Sequence, residues 1–406
     1  MIASQPAAHP AAEAGRQRWN FLHLYGDAVW AGLGYGSVLT FPAVYAARLG
    51  AAEWQMSLLS AMPPLAILLL AIPASRWLER QPLIRTLART FFWQRLMWFA
   101  LVPLPALFPP AGQITAILLI HLAVALTSAI GHVAWGMMLG AVIPPEWRGR
   151  ILGRRGAIIA GTAAATLLGC GRLLTKVAFP LNYQIVFGLG AASLLMTSYH
   201  IGRLRLADPA AAAGARPAPT LVRWDLVRGP FGRFLVAYFL FYAGQAFTTP
   251  LYPLLYVREM GLPDEWVSRA TMLNYATVLA GSLLLSRLST RYGHRAVLVG
   301  AAALFSVSPL LMASASHANV VFWSGALLAG LGLVLMWTTL TTRLLERVPD
   351  DDRPAYIALH AVTWQLGWLA GSALGPALSA GLGLRPALLV DSALLAVTAW
   401  LIWRWA

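Results

Sequence analysis

The sequence predicts an all-α integral membrane protein with twelve transmembrane helices arranged as two six-helix, pseudo-symmetric bundles. Three observations predict it. Hydrophobic residues make up 59% of the 406-residue chain and charged residues only 11%, against about 25% charged in a soluble globular chain. Apolar runs of roughly 18 or more residues, enough to cross a hydrocarbon core of about 30 Å as helices, recur along almost the whole length. Two charged loops reappear at corresponding places in the two halves.

Bounded by charge, Pro or Gly, the spans fall at 19–47, 53–76, 86–108, 113–142, 151–176, 181–203, 231–257, 264–287, 295–315, 318–345, 355–381 and 385–405. Their even number puts both termini on one side. Residues 1–18 have no apolar core ahead of their arginines, so they read as a disordered cytoplasmic tail rather than a signal peptide. A first bundle over 19–203, a linker over 204–230 and a second bundle over 231–406 follow. The linker opens with the low-complexity DPAAAAGARPAP and continues as TLVRWDLVRGP. In that second part Leu221, Trp224 and Val227 share one side of a short surface helix flanked by Arg223 and Arg228, or the segment is unstructured throughout.

Orientation comes from the basic residues. Of the 30 Lys and Arg, only Arg48, Arg172, Lys176, Arg258, Arg269 and Arg385 fall in loops on the side away from the termini, and Arg95 lies within the third span. Short loops rich in Lys and Arg stay cytoplasmic, so the expected topology is N-in and C-in. The stretch IPPEWRGRILGRR (143–155), with Arg148, Arg150, Arg154 and Arg155, contributes strongly to that bias.

A net charge of +15 does not indicate nucleic acid, because the basic residues sit in short loops and form no stripe interleaved with aromatics. The single cysteine, Cys170, excludes an internal disulfide or a thiolate metal cluster. No phosphate-cradling G-x-x-x-x-G-K-[ST], zinc-binding H-E-x-x-H or dinucleotide G-x-G-x-x-G is present, so no enzyme, cofactor or metal centre is expected.

The repeat is carried by two loop pairs. Aligning Ile143-Pro144 on Val348-Pro349 puts Glu146 on Asp351 and Arg148 on Arg353. Aligning SRWLERQPLIR (75–85) on SRLSTRYGHRA (286–296) matches Ser75 to Ser286, Arg76 to Arg287 and Arg80 to Arg291. Such spacing indicates parallel internal duplication. With it the chain resembles, over about 19–405, the major facilitator superfamily of secondary transporters, whose loop signature G-x-x-x-D-R-x-G-R-R/K follows the second and eighth helices. The later copy keeps Arg291, Gly293 and Arg295; the earlier keeps the pair Glu79-Arg80. The resemblance implies a bacterial plasma (inner) membrane carrier. It also implies a cytoplasmic gate, for which Glu79, Arg80, Glu146, Arg148, Arg291, Asp351 and Arg353 are the matching residues. Two features of the superfamily's antiporters are missing: the fourth span has no arginine, and the fifth has no G-x-x-x-G-P. The eleventh does carry Gly371-x-x-x-Gly375-Pro376.

Ionisable groups within spans are candidate functional residues because a mid-bilayer charge costs at least about 2.5–3.5 kcal/mol. His23, Asp27, Trp30 and Gly34 share one face of the first span. A carboxylate whose wetting changes between two conformations can bind and release a proton, which makes Asp27 a candidate coupling site. Arg95 lies at similar depth, so an Asp27–Arg95 structural ion pair is the competing reading. His121 and His132 are the ionisable groups of the fourth span, and Asp391 reads as a packing or hydrogen-bonding residue of the last helix. Span seven aligns Tyr238, Tyr242, Gln245, Thr249 and Tyr252, too polar a stripe to face lipid. Trp337 and Thr341 of span ten join them, as do His360, Trp364 and Gln365 of span eleven. By the resemblance these residues line a central cavity, and their aromatic and hydroxyl character suits a small amphipathic organic solute.

The expected function is secondary active transport of such a solute by alternating access, with proton-coupled efflux as its finer form. A transport-inactive sensor or assembly partner of the same fold is the alternative. The expected partners are the lipid bilayer, the solute and protons; nucleic acid is not expected, and the chain is expected to act as a monomer.

Overall fold

The computed structural model describes residues 10–206, 224–348 and 353–405, and all of its regular structure there is helical. In the first half, α1 (Pro10–Tyr35) and the short α2 (Phe41–Arg48) form the first span. Then come α3 (Glu53–Leu78), α4 (Leu83–Met97), α5 (Leu104–Leu107), α6 (Pro110–Val142), α7 (Pro145–Lys176) and α8 (Leu181–Gly202). A 3-10 turn at Trp224–Arg228 leads into the second half. There α9 (Pro230–Thr248) and α10 (Leu251–Leu254), followed by a π turn at Leu255–Glu259, make up one span. The chain continues through α11 (Asp264–Ser314), α12 (Val320–Arg347), α13 (Arg353–Leu382) and α14 (Leu384–Trp405).

Among the described residues, 8 helical segments are long and apolar enough to cross a membrane by length and composition. The remaining spans of the predicted set are α1, α4, the first part of α11 and α13, which carry more of the polar and charged side chains. Prolines shape several spans. Pro103 ends the 3-10 turn at Trp98–Leu101 that breaks the third span, and Pro250 separates α9 from α10, since proline supplies no N–H and crowds the preceding turn.

Gly293 divides α11 into spans eight and nine, with φ 78 and ψ 158. That backbone region is open essentially to glycine alone, which gives a physical reason for the glycine kept in the second copy of the loop signature.

Two boundaries differ from the sequence reading. Residues 10–18, expected to be disordered, form the first turns of α1. Proline is accommodated at a helix start, and Glu13 supplies both a first-turn acid and an i,i+3 pair to Arg16 at 3.5 Å. The fifth span starts at Pro145 rather than 151, with Glu146 in its first turn. Its arginines therefore project from a helix instead of a loop.

Within each half the helices pack closely. The α1 helix lies against α7 and α8, and α9 lies against α13 and α14. Glycines permit this approach: a Cβ on Gly371 of α13 would stand 1.9 Å from the Ala243 carbonyl oxygen of α9. The halves meet where α7 packs on α11 and α3 on α13.

The cores divide by depth. One buried cluster contains Phe41, Tyr45 and Met56 of the first half together with Leu251, Tyr256 and Phe322 of the second, at the end of the bundle away from the termini. Toward the termini each half has its own cluster: Leu24, Leu87 and Met138 in the first, Phe234, Leu298 and Ile402 in the second.

Candidate transport pathway

The polar cluster of the first half is built on α1. Asp27 is 2% exposed and accepts two hydrogen bonds from Arg155 of α7, at 2.6 Å from Nη2 and 3.2 Å from Nε. The Arg155 guanidinium also lies 4.6 Å from the Trp135 ring. The Asp27–Arg95 pair of the competing reading is therefore replaced by Asp27–Arg155. Arg95 instead donates to Ser198 Oγ at 2.9 Å and sits 4.0 Å over Phe91. The α7 helix begins six residues before the expected start, so Arg155 lies nearly three turns into it. Arg155, Ile159, Thr162 and Thr166 recur at i, i+4, i+7 and i+11, and Thr162 and Thr166 meet α1 at Gly32 and Gly36.

One turn before Asp27, His23 meets His200 of α8 with their Nδ1 atoms 2.9 Å apart. This separation requires one ring to donate and the other to accept. The His200 ring lies over Gly26, where a Cβ would come within 2.5 Å of it. Trp30 is half-buried one turn beyond Asp27, and His132 lies on the exposed side of α6. His121 makes its contact with the Ile117 carbonyl at 2.9 Å.

In the second half, residues of the aromatic stripe on α9 meet residues of α12 and α13. Tyr242 is fully buried and its hydroxyl lies 3.1 Å from His360 Nε2. Its ring stacks on Trp364 at 5.9 Å, and Trp364 meets Trp337 edge-on at 4.8 Å. Trp337 Nε1 donates to Gln245 Oε1 at 3.2 Å. Tyr238 is equally buried and donates to the Leu340 carbonyl at 3.2 Å. Gln365 is buried, whereas Thr249 and Thr341, one turn beyond Gln245 and Trp337, are exposed. Three spans, α9, α12 and α13, thus converge on a box of Tyr242, Trp337, Trp364 and Gln245.

Polar bonds between the halves cluster at the far end. Arg48 donates to Asp264 at 3.0 Å and to the Leu262 carbonyl. Arg258 donates to Glu53 at 2.9 Å and to the Ala51 carbonyl. Sequence reading assigned these arginines only to loops; their partners come from the opposite half, more than 200 positions away, and no local signal reveals them.

The residues singled out near the termini make contacts inside their own half. Arg148 donates to the carbonyls of Gly140 and Ile143, closing the end of α6. The Arg291 guanidinium lies 5.2 Å from the Tyr292 ring. Glu79, Arg80 and Glu146 are exposed. Asp351 lies outside the described residues, and Arg353 begins α13.

Among the described residues, the two halves are joined at the far end by a shared apolar cluster and by the Arg48–Asp264 and Arg258–Glu53 bridges. Residues 234–406 match the family model described as Major Facilitator Superfamily, and the chain as a whole shares its fold with several solved transporters. A point mutant of the nucleoside transporter NupG superposes with a TM-score of 0.74 at 10% identity, covering 95% of this chain and 99% of that one. An inward-facing bacterial homologue of the iron transporter ferroportin gives 0.66 at 15% identity, covering 98% and 99%. A bacterial metal transporter gives 0.68 at 13% identity, covering 95% and 98%. Among curated proteins the sequence finds no match.

Proposed function

We propose that the protein is a secondary active transporter that carries a small amphipathic organic solute across a bacterial plasma membrane, with the termini in the cytoplasm. The observation that carries this reading is the unequal sealing of the two ends. A shared apolar cluster and the Arg48–Asp264 and Arg258–Glu53 bridges hold the halves together at the far end, while the clusters toward the termini are separate. This unequal sealing supports a carrier closed on the side away from the termini, in which rocking the halves would exchange one seal for the other.

The box of Tyr242, Trp337, Trp364 and Gln245 offers ring faces together with one amide, which suits stacking and hydrogen bonding to a flat, weakly charged solute. Asp27, held by Arg155, is the proposed proton-coupling group. Its pair with Arg155 would break and re-form as the halves rock, and proton-coupled efflux is the mode of transport proposed. The arginine-rich loops fix topology, and Glu79, Arg80, Glu146, Arg148, Arg291, Asp351 and Arg353 are proposed to form the cytoplasmic gate in the opposite state.

Everted membrane vesicles with a pH-sensitive dye test this reading. Nucleosides, organic cations, sugars and carboxylates are added in turn to wild type, Asp27→Asn and Trp364→Ala at matched expression. A solute-dependent proton signal lost in both variants supports the assignment. A signal that survives Asp27→Asn removes Asp27 as the coupling group.

A further inference from the structure

Asp391 of α14 is 0% exposed, and neither carboxylate oxygen has a hydrogen-bond partner. Of the two roles read for it in the last helix, packing and hydrogen bonding, the second is not what the structure contains. The neighbouring hydroxyls are committed to backbone carbonyls, Ser392 to Ser306 at 2.8 Å and Thr398 to Leu394 at 2.8 Å. Gly244 of α9 faces Asp391, and a Cβ there would stand 3.2 Å from Oδ1.

The layers around it are apolar. Leu388, nearly one turn earlier, belongs to the far-end cluster that joins the halves, and Leu395, one turn later, belongs to the second half's own cluster. Seven residues from the start of α14, at 1.5 Å each, put Asp391 about 10 Å inside the far end. Among the described residues, the titratable group that reaches it is Tyr252 of α10, whose hydroxyl lies beside those of Ser308 on α11 and Thr248 on α9. Among those residues no cation of α9, α11 or α13 forms a hydrogen bond to it. An ionised carboxylate without donors or a counter-charge is strongly disfavoured in such surroundings, and neutralisation by a proton is the usual resolution.

We propose that Asp391 takes up a proton from far-side water as the far end of the bundle closes, and returns that proton to the same water when the far end opens. The carboxylate becomes a neutral carboxyl, one O–H bond forms, and no other group changes. The sealed state then binds one proton more than the open state, so raising the pH favours opening. For a one-proton difference the ratio of open to sealed molecules rises by up to about tenfold per pH unit. This inference shares with the proposed function the closed far end, but not the identity of the solute or the role of Asp27.

The test uses the full chain in nanodiscs. Spin labels at Leu107→Cys and Ser316→Cys, exposed at the far ends of the two halves, are placed in a Cys170→Ala background, and their separation is measured as a function of pH. In the otherwise wild-type protein the long-distance population is expected to grow as pH rises, and with Asp391→Asn it is expected to stay small at every pH. Infrared spectra of the unlabelled protein should show the carbonyl stretch of a protonated carboxyl at neutral pH, lost in Asp391→Asn and kept in Asp27→Asn. The same pH response with and without Asp391, or an infrared band indifferent to its replacement, would overturn the proposal. Neither readout requires a transported solute, so a silent vesicle assay leaves this test standing.

Discussion

Replacing Arg155 by leucine removes the counter-charge of a carboxylate that is 2% exposed, while the arginine itself is 18% exposed. Breaking a buried pair from one side costs about 3–5 kcal/mol, because the remaining charge is left uncompensated. At about 2–4 °C per kcal/mol for large domains, the apparent thermal midpoint in detergent should fall by about 6–20 °C. Asp27→Leu should cost a comparable amount, since Arg155 is then left against Trp135 with its two bonds unmade. The double variant Asp27→Leu/Arg155→Leu removes both charges and should melt above either single variant, by about 2 kcal/mol or more of coupling. The assay is a melting curve of purified protein, followed by circular dichroism at fixed protein and detergent concentration. Additive losses in the double variant, or single variants that melt with wild type, would refute the claim that this pair is a buried, mutually dependent unit.

Three further outcomes follow from the geometry. Gly293→Ala places a side chain in backbone that only glycine occupies readily, so it should destabilise by about 1–3 kcal/mol; Gly300→Ala, where an added Cβ meets nothing within 4 Å, should be neutral or slightly stabilising, and the two midpoints compared in one buffer check this. Gly371→Ala drives a methyl into the Ala243 carbonyl of α9 and should cost about 1–3 kcal/mol, read from the same melts and from the yield of folded protein. Arg48→Glu sets like charges against Asp264 and should increase far-side labelling of Gln245→Cys, in a Cys170→Ala background, by an impermeant thiol reagent, with the swap Arg48→Glu/Asp264→Arg reversing the gain.

The fold was legible because each span advertises itself locally. Long apolar runs, arginine-rich loops and the paired signatures at 75–85 and 286–296 together yield span order and duplication without any tertiary information. The stripe on α9 was legible for the same reason: Tyr238, Tyr242, Gln245 and Thr249 repeat with helical spacing, so their shared face follows from the period alone, whereas the company of Trp337 and Trp364 was suggested only by the resemblance. Arg155 was not, because its charge served equally well as a topology signal and the true helix start lay upstream. Its spacing to Thr162 and Thr166 is the signal that would have placed it on the face toward α1. The Arg48–Asp264 and Arg258–Glu53 bridges and the isolation of Asp391 depend on contacts between distant parts of the chain. Those properties reside in packing, and no local pattern encodes them.

Access to the stripe of α9 is the most direct test of alternating exposure. Gln245→Cys and Thr249→Cys, in a Cys170→Ala background, would be challenged with an impermeant thiol reagent from each side of oriented vesicles, with and without the Arg48→Glu change that loosens the far end. The account predicts labelling from the termini side in the parent and a shift toward the far side once the latch is weakened. Labelling from one side only, whatever the state of the latch, would contradict it.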